Sequence, residues 1–388
     1  MLRKIVLLVA GAIAAVIASS NTAEAIPAFA RKYQFSCSTC HAPVPRLKAF
    51  GEEFAARGFR LDPAQEPPRA TIDTGDPTLR LLRELPIAVR VDGFGSWKEG
   101  ALAEADIEWP WSFKLLSGGP ISESISYYVY FILEKGGVQG LEDAYLQFNS
   151  PFKLPISLMV GQFQVSDPLF KRELRLERFD YQIFKTRVGL APADLTYDRG
   201  IIGSWTFPGD LDSVVQLVNG NGIREAEHDD FDQDSLKTVS WRLSRQSGPV
   251  RLGVFSYFGK QRSSGDVRNR TWYLGPDLVV DFTDSLQLNA QYLERRDDDP
   301  FFTGVRAGEW ETRGGFAELH YLPRGADGPW VLSLLYNKVD SDDPNALWHS
   351  ASLTVTRLLA RNVKLMFEGG REIEHDAGRV SIGIVAAF

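Results

Sequence analysis

Cys37-Ser38-Thr39-Cys40-His41 is the part of this sequence whose residue types and spacing carry chemistry. Two thiols two residues apart, with a histidine directly after, form the C-x-x-C-H pattern of covalent haem c attachment. Each thiol adds its S–H across a haem vinyl group, and the imidazole of His41 then faces the iron as proximal ligand. The spacing is short because one turn of chain must reach both the porphyrin edge and the iron. These are the two cysteines of the chain, too few for a disulfide scaffold or a four-cysteine zinc site. A thioredoxin-like redox pair would need a surrounding βαβ pattern, which is absent here.

The flanks are consistent with a haem pocket. Pro43 and Pro45 stiffen the chain after His41. Leu47, Phe50 and Phe54 recur on one face of a short predicted helix, which Gly58 would stop. Residues 26–61 are too few to fold well on their own apolar burial, and a covalent haem would supply the missing surface. Arg31, Lys32, Arg46 and Arg57 are possible partners for the propionates. No second histidine or methionine follows within the segment. A distal ligand must then come from further along, with Met159 the first choice and His320 or Met366 behind it; otherwise the iron is five-coordinate.

Other features bound the class. Arg3 and Lys4 precede an apolar run from Ile5 to Ala18, and Ala23-Glu24-Ala25 follows. This reads as a signal peptide over residues 1–25 and hence export. Mean hydropathy is -0.17, and no later stretch is apolar enough for a transmembrane helix. A net charge of -7 argues against a nucleic acid partner.

Residues 62–86, rich in Pro, Asp, Thr and Arg, read as a linker. From Ile87 the apolar pattern has period two. Segments at 87–96, 104–113, 124–133, 141–149, 156–163, 197–207, 212–219, 236–246, 250–259, 270–280, 286–295, 311–322, 330–339, 347–358, 363–370 and 379–388 alternate in this way. Most are near the ~10 residues a tilted membrane strand requires. Short turns such as Ser247-Gly248-Pro249 alternate with long polar loops at 164–196, 220–235, 260–269 and 296–310, the plan of an outer-membrane barrel. The last segment ends on Phe388, and tryptophans such as Trp109, Trp205 and Trp330 fall near strand ends. The expected fold is an all-β transmembrane barrel of about sixteen antiparallel strands over 87–388, with a small N-terminal α-helical c-type cytochrome domain over 26–61. A soluble β-sandwich array is the competing architecture.

With these residues in view, the chain resembles the fused monohaem cytochrome c–porin family, outer-membrane proteins linked to extracellular iron oxidation. The likeness runs from Ile26-Pro27-Ala28-Phe29-Ala30-Arg31 into Cys37, Cys40 and His41, then through Pro45, Leu47, Phe50-Gly51, Phe54 and Gly58-Phe59. Glu142-Asp143-Ala144-Tyr145-Leu146 and Val160-Gly161-Gln162-Phe163 are similar to phosphate-porin-type strands. The resemblance implies one covalent haem c, a sixteen-stranded barrel in the bacterial outer membrane, and electron uptake from outside the cell.

Two functions of different class follow. In the first, an Fe(II):cytochrome c oxidoreductase activity passes electrons from extracellular Fe(II), or another external donor, to a periplasmic cytochrome, and the first domain plugs the barrel. In the second, the chain is a passive, anion-preferring diffusion porin with an accessory haem domain, and Arg90, Arg187 and Arg199 help select anions. Glu225, Glu227, His228, Asp229 and Asp230 lie in one loop with Asp232 and Asp234. They are candidates for attracting Fe(II), since hard oxygen ligands suit it; an ordinary solvated acidic loop is the simpler reading. Lys171 to Arg178 reads as helical within loop 164–196, which is expected either to fold inward as a constriction or to cover the haem. Outer-membrane lipid is the expected surround.

Overall fold

A computed structural model describes residues 28–41, 47–61, 65, 71, 72, 74–76, 79, 81, 82, 85–136, 138–172, 175, 177–232, 234–263, 265–305 and 308–388. The expected signal peptide, and Pro43, Pro45 and Arg46, lie outside these residues. Three short helices come first: α1 (Ala28–Tyr33), α2 (Cys37–Cys40) and α3 (Ala49–Ala56). A two-residue pairing of β1 (Thr71–Ile72) with β2 (Leu81–Leu82) falls in the linker region.

Sixteen antiparallel strands then close into a barrel. They are β3 (Ile87–Lys98), β4 (Ala105–Pro120), β5 (Ile125–Lys135), β6 (Val138–Asn149), β7 (Ser157–Gln164), β8 (Tyr197–Phe207), β9 (Leu211–Val218) and β10 (Thr238–Ser247). The second half is β11 (Val250–Arg262), β12 (Arg268–Thr283), β13 (Leu286–Asp297), β14 (Trp310–Tyr321), β15 (Trp330–Ser341), β16 (Trp348–Ala360), β17 (Val363–Glu372) and β18 (Ala377–Ala387). The last strand pairs with the first, with Gly383 opposite Phe94 and Ala387 opposite Arg90, so no edge is left open. Each segment read from period two becomes one strand, in chain order. The largest extension is in β4, which continues through Gly118-Gly119-Pro120, residues with no strand signature.

The alternation sorts side chains between two solvents. Along β11, Leu252, Val254 and Phe258 face outward, while Phe255, Tyr257 and Gln261 face in. Along β17, Leu365 and Phe367 face outward, while Lys364, Met366 and Glu368 face in. The outer apolar band suits lipid, and the inner face is rich in Ser, Thr, Gln, Asp and Arg. No helix among the described residues is long and apolar enough to cross a membrane.

Connections are short at the end that holds the start of β3 and the end of β18: 208–210, 248–249, 284–285 and 361–362 are examples. At the opposite end lie 165–196, 219–237 and 298–309. One local expectation fails. The described residues between Lys171 and Arg178 form bends and irregular chain, and the helix of this loop is instead α4 (Gln182–Lys185). Within this stretch Arg175 and Arg178 pair with the barrel wall, as described below, while Lys171 and Arg172 pair inside the loop with Asp167 and Asp180.

Candidate functional site

The C-x-x-C-H stretch forms one helical turn. Ser36 caps α2 by accepting from the Ser38 amide, as short polar side chains do at helix starts. His41 N–H donates to the Cys37 carbonyl at 2.8 Å and closes the turn. The chain returns at Lys48, whose N–H donates to the Cys40 carbonyl at 2.8 Å, and His41 bridges to Leu47. Gly51 of α3 packs directly on the Cys40 backbone, where a Cβ would overlap the carbonyl oxygen. A larger residue there would push α3 off the motif.

Cys37 and Cys40 are half-buried and unbridged. Burial, and then the charge of Cys37, raises the Cys40 thiol above its ordinary value. A thiol held protonated is a poor thiolate ligand for a metal ion. Phe35 meets Phe50 edge-on at 5.8 Å, and Phe50 stacks on Phe54 at 6.2 Å. Phe50 is still 36% exposed, an apolar ring left uncovered beside the motif. Two thiols on one turn, an adjacent imidazole and an apolar wall with an open face fit a covalent haem. Of the cations expected near the propionates, Arg31 donates to the Ile87 carbonyl at 3.1 Å, Lys32 to the Tyr33 hydroxyl at 2.8 Å, and Arg57 to Glu53 at 2.6 Å.

The segment sits inside the short-turn mouth of the barrel. Phe29 stacks on Phe59 at 4.5 Å, and Phe59 stacks on Tyr128 of β5 at 5.0 Å. Gly58, at φ +70°, turns the chain beside Ser126. Gln147 of β6 donates to the Ala56 carbonyl at 2.6 Å, and Arg60 donates to the Glu123 carbonyl. On the far side Lys48 pairs with Asp327 at 3.3 Å and Arg251 with Glu52 at 3.8 Å.

Above it, the loop between β7 and β8 folds inward and spans the lumen. Its Phe170, Tyr181 and Phe184 pack on Phe255, Tyr273 and Phe316 of the wall. Tyr181 stacks on Phe316 at 3.8 Å. Arg175 pairs with Glu318 of β14 at 2.8 Å, both nearly fully buried. Arg178 pairs with Glu108 of β4, lies over the Phe94 and Trp111 rings, and donates its backbone N–H to Glu368 at 2.8 Å. Glu318 and Glu108 stand on strands six steps apart around the wall, so the loop is a strut. Buried Arg295 of β13 donates to the Thr186 and Ala193 carbonyls, both at 3.0 Å, and fixes the second half of the loop. No local sequence pattern signals these partners.

Removing one member of a buried pair leaves an uncompensated charge and costs about 3–5 kcal/mol. Arg175→Ala is therefore expected to loosen the loop by that amount, read as faster proteolysis between residues 165 and 196 with the barrel's heat-shifted gel migration retained. Acid should act similarly. Burial opposes the Asp180 carboxylate, but Arg172 and then Arg175 outweigh it and hold the group well below its ordinary value. Its stabilising effect is full above the unfolded carboxylate value of about 3.9 and is lost as pH falls through the lowered native value. Protease resistance of the loop should thus hold at neutral pH and decline on acidification below about pH 4.

Between the N-terminal segment and this strut lies a cavity of about 1050 Å³. Met159 and His320 both face it, as period two implied. Met159 packs with Phe163, Ile202 and Val218. His320 is fully engaged: Nδ1 lies 2.8 Å from the Ser333 hydroxyl and Nε2 lies 3.0 Å from Glu318. The three arginines expected to select anions are each occupied. Arg90 makes two 2.8 Å bonds to Asp92, Arg187 pairs with Asp194 at 2.8 Å, and Arg199 lies over the Phe231 ring. Glu225, Glu227, His228, Asp229 and Asp230 are all exposed in the loop after β9. No group of three or more metal-ligating side chains is found among the described residues. Asp297, Asp299 and Asp343, at the same end, are buried in hydrogen bonds to Thr271, to Gly304 and to Gly189.

No protein-family model matches the chain, and no curated protein does. Solved porins share its fold. The anion-selective porin from Comamonas acidovorans superposes with a TM-score of 0.58 at 10% identity, covering 79% of this chain and 99% of that one. A loop L8 deletion mutant of OmpT, an outer membrane protein of Vibrio cholerae, gives 0.56 at 11% identity over 79% and 99%. Salmonella typhi OmpF, in complex with daunomycin, gives 0.53 at 12% identity over 78% and 97%. The chain therefore has a porin-like sixteen-stranded barrel. The uncovered fifth is about the size of the stretch ahead of Ile87.

Proposed function

We propose that this protein is an outer-membrane electron-transfer protein, carrying one covalent haem c in the periplasmic mouth of a porin-type barrel. The observation that supports this reading is Cys37 and Cys40 on one capped turn beside His41, unbridged, within a segment seated in the barrel. The bound group supplies one-electron exchange. The chain's own residues do the rest. Cys37 and Cys40 anchor it through thioethers, His41 faces the iron, and Phe35, Phe50 and Phe54 exclude water from one side. Export by residues 1–25 would bring the chain to a compartment where such attachment occurs. An extracellular donor such as Fe(II) approaches from the long-loop end, and a periplasmic cytochrome accepts at the short-turn mouth.

The second reading, a passive anion-preferring channel with an accessory haem segment, is the one the porin comparisons favour. The Comamonas porin is anion-selective by name, and an aqueous lumen is usual at this strand number. Two things weigh against free passage: the N-terminal segment across one mouth, and the strut across the lumen.

Anaerobic addition of Fe²⁺ to purified, haem-loaded protein tests the first reading. Reduction of the haem, seen in its visible bands, supports it; no reduction, with the haem intact, overturns Fe(II) as donor. The same assay examines the acidic loop. Exposed charges act through screened fields at physiological salt. Asp229→Asn and Asp230→Asn together should thus change the rate less than about twofold.

A further inference from the structure

His320 of β14 is the buried histidine of the lumen, and neither function above uses it. Its Nε2 lies 3.0 Å from Glu318, and its Nδ1 lies 2.8 Å from the hydroxyl of Ser333 on β15. Glu318 is an anchor of the strut. Its Oε1 accepts from Arg175 at 2.8 Å, and the Oε2 that meets His320 also accepts from the Tyr181 hydroxyl. The charged and titratable groups facing this point are therefore Glu318 on the same strand, and Arg175 and Tyr181 from the strut. Behind them, Glu177 and Asp180 lie 3.8 Å and 3.4 Å from Arg175, and Asp180 is shared with Arg172. The flanking strands place Ser333 and Gln287 opposite His320, both uncharged. Across the cavity stand Lys48, Glu52 and Arg251. Three carboxylates of this network, Glu177, Asp180 and Glu318, thus meet two guanidinium groups, and an imidazolium at His320 is the third cation.

We infer that His320 is a proton-operated latch on the strut. Charged, it holds Glu318 and with it the loop that spans the lumen; neutral, it lets that loop loosen. A hydrogen bond between two charged groups is roughly twice as strong as a neutral one. Loss of the proton also leaves a buried carboxylate without one of its cations, in a site too dry to compensate it. The proton has a route. His320, Glu318 and Arg175 line the same cavity as Asp284 and Asp327 of the short turns, so the ring exchanges with the medium on that side. The hydrogen bonds at Nδ1 and Nε2 leave neither nitrogen for a metal. The inference therefore stands with or without haem in the chain. The latch acts fully below the ordinary histidine value of about 6.5 and is lost as pH rises and the ring in place gives up its proton. The effect of Asp180 lies at the opposite, acid end of the scale.

The test is limited proteolysis of the full chain in detergent at about pH 5.5, 7 and 9, which brackets histidine titration. Cleavage within the loop between β7 and β8 is scored against an unfolded substrate at each pH, with heat-shifted migration as the check on barrel folding. Wild type should be cleaved about tenfold faster at the alkaline end than at the acid end. His320→Gln keeps a donor but cannot carry the charge, and should be cleaved at one fast rate throughout. Glu318→Gln should also lose the pH dependence. His228→Gln and His375→Gln, both at exposed loop positions, should keep it. A wild type cleaved equally at every pH overturns the inference, as does a His320→Gln chain that keeps the dependence or a His228→Gln or His375→Gln chain that loses it. If His320→Gln fails to fold, Glu318→Gln carries the decision: a lost dependence supports the latch, and a retained one overturns it. The Cys37→Ala, Cys40→Ala chain separates the latch from the haem reading. It should behave as wild type, and loss of the dependence there would assign it to the haem and overturn the latch.

Discussion

Replacing Cys37 and Cys40 together with alanine should abolish covalent haem and, with it, all reduction by Fe²⁺. The expected loss is complete, because the chain has no other cysteine to form a thioether. The barrel should survive. Its closure runs through the β18–β3 ladder, from Arg379 opposite Lys98 to Ala387 opposite Arg90, and uses none of the motif. The N-terminal segment should also keep part of its seat, since Phe59 on Tyr128 and Gln147 on the Ala56 carbonyl are remote from the thiols in sequence. The measurement is haem peroxidase staining after denaturing electrophoresis, beside the heat shift of the folded barrel. Wild type should stain, and the double variant should migrate as a folded barrel without stain. A stained double variant, or an unstained wild type, would sink the haem reading and leave the channel reading in possession. His41→Ala separates attachment from ligation: the stain should persist while the spectrum changes.

How far the sequence disclosed this arrangement depends on how local the signal was. The strands were legible because each residue of a barrel faces lipid or lumen by turn, so Leu365 and Phe367 against Lys364 and Met366 is a period-two pattern that needs no partner to be read. The helical stop at Gly58 was legible for a similar reason, since a positive φ is a local demand. The strut was not. Lys171 to Arg178 has the alternating charges of a solvated helix, yet Arg175 meets Glu318 more than a hundred residues away and Arg178 meets Glu108 on another wall. Those pairs come from closure of the barrel, which brings distant strands to one lumen. Arg90 is an intermediate case. It looked like a cation for anion selection, but Asp92, two residues on, shares its face and neutralises it. Period two could have shown that pairing.

Conductance decides between the two functions, and the expected ordering follows from the two obstructions. In planar bilayers the full chain should pass little current, because the described residues of the N-terminal segment lie in the short-turn mouth and the loop between β7 and β8 crosses the lumen above them. Deleting residues 28–61 removes the first obstruction. Lys48–Asp327 and Arg251–Glu52 are partly exposed pairs, worth little individually, so the barrel should tolerate their loss. Current should rise but stay limited by the strut, whose hold on the wall includes buried Arg295, Arg175–Glu318 and the aromatic packing around Phe316. Adding Arg175→Ala and Arg178→Ala cuts the strut's tethers to opposite walls. Only then should conductance climb by about an order of magnitude, toward the aqueous lumen usual for sixteen strands. A full chain that conducts as freely as the truncated one would mean that the segment is no plug, and solute passage would become the better account. A truncated chain that conducts fully without the arginine substitutions would mean that the strut yields under field. The obstruction would then rest in the haem segment alone, and the electron-transfer reading would need only that segment to keep the outer membrane closed.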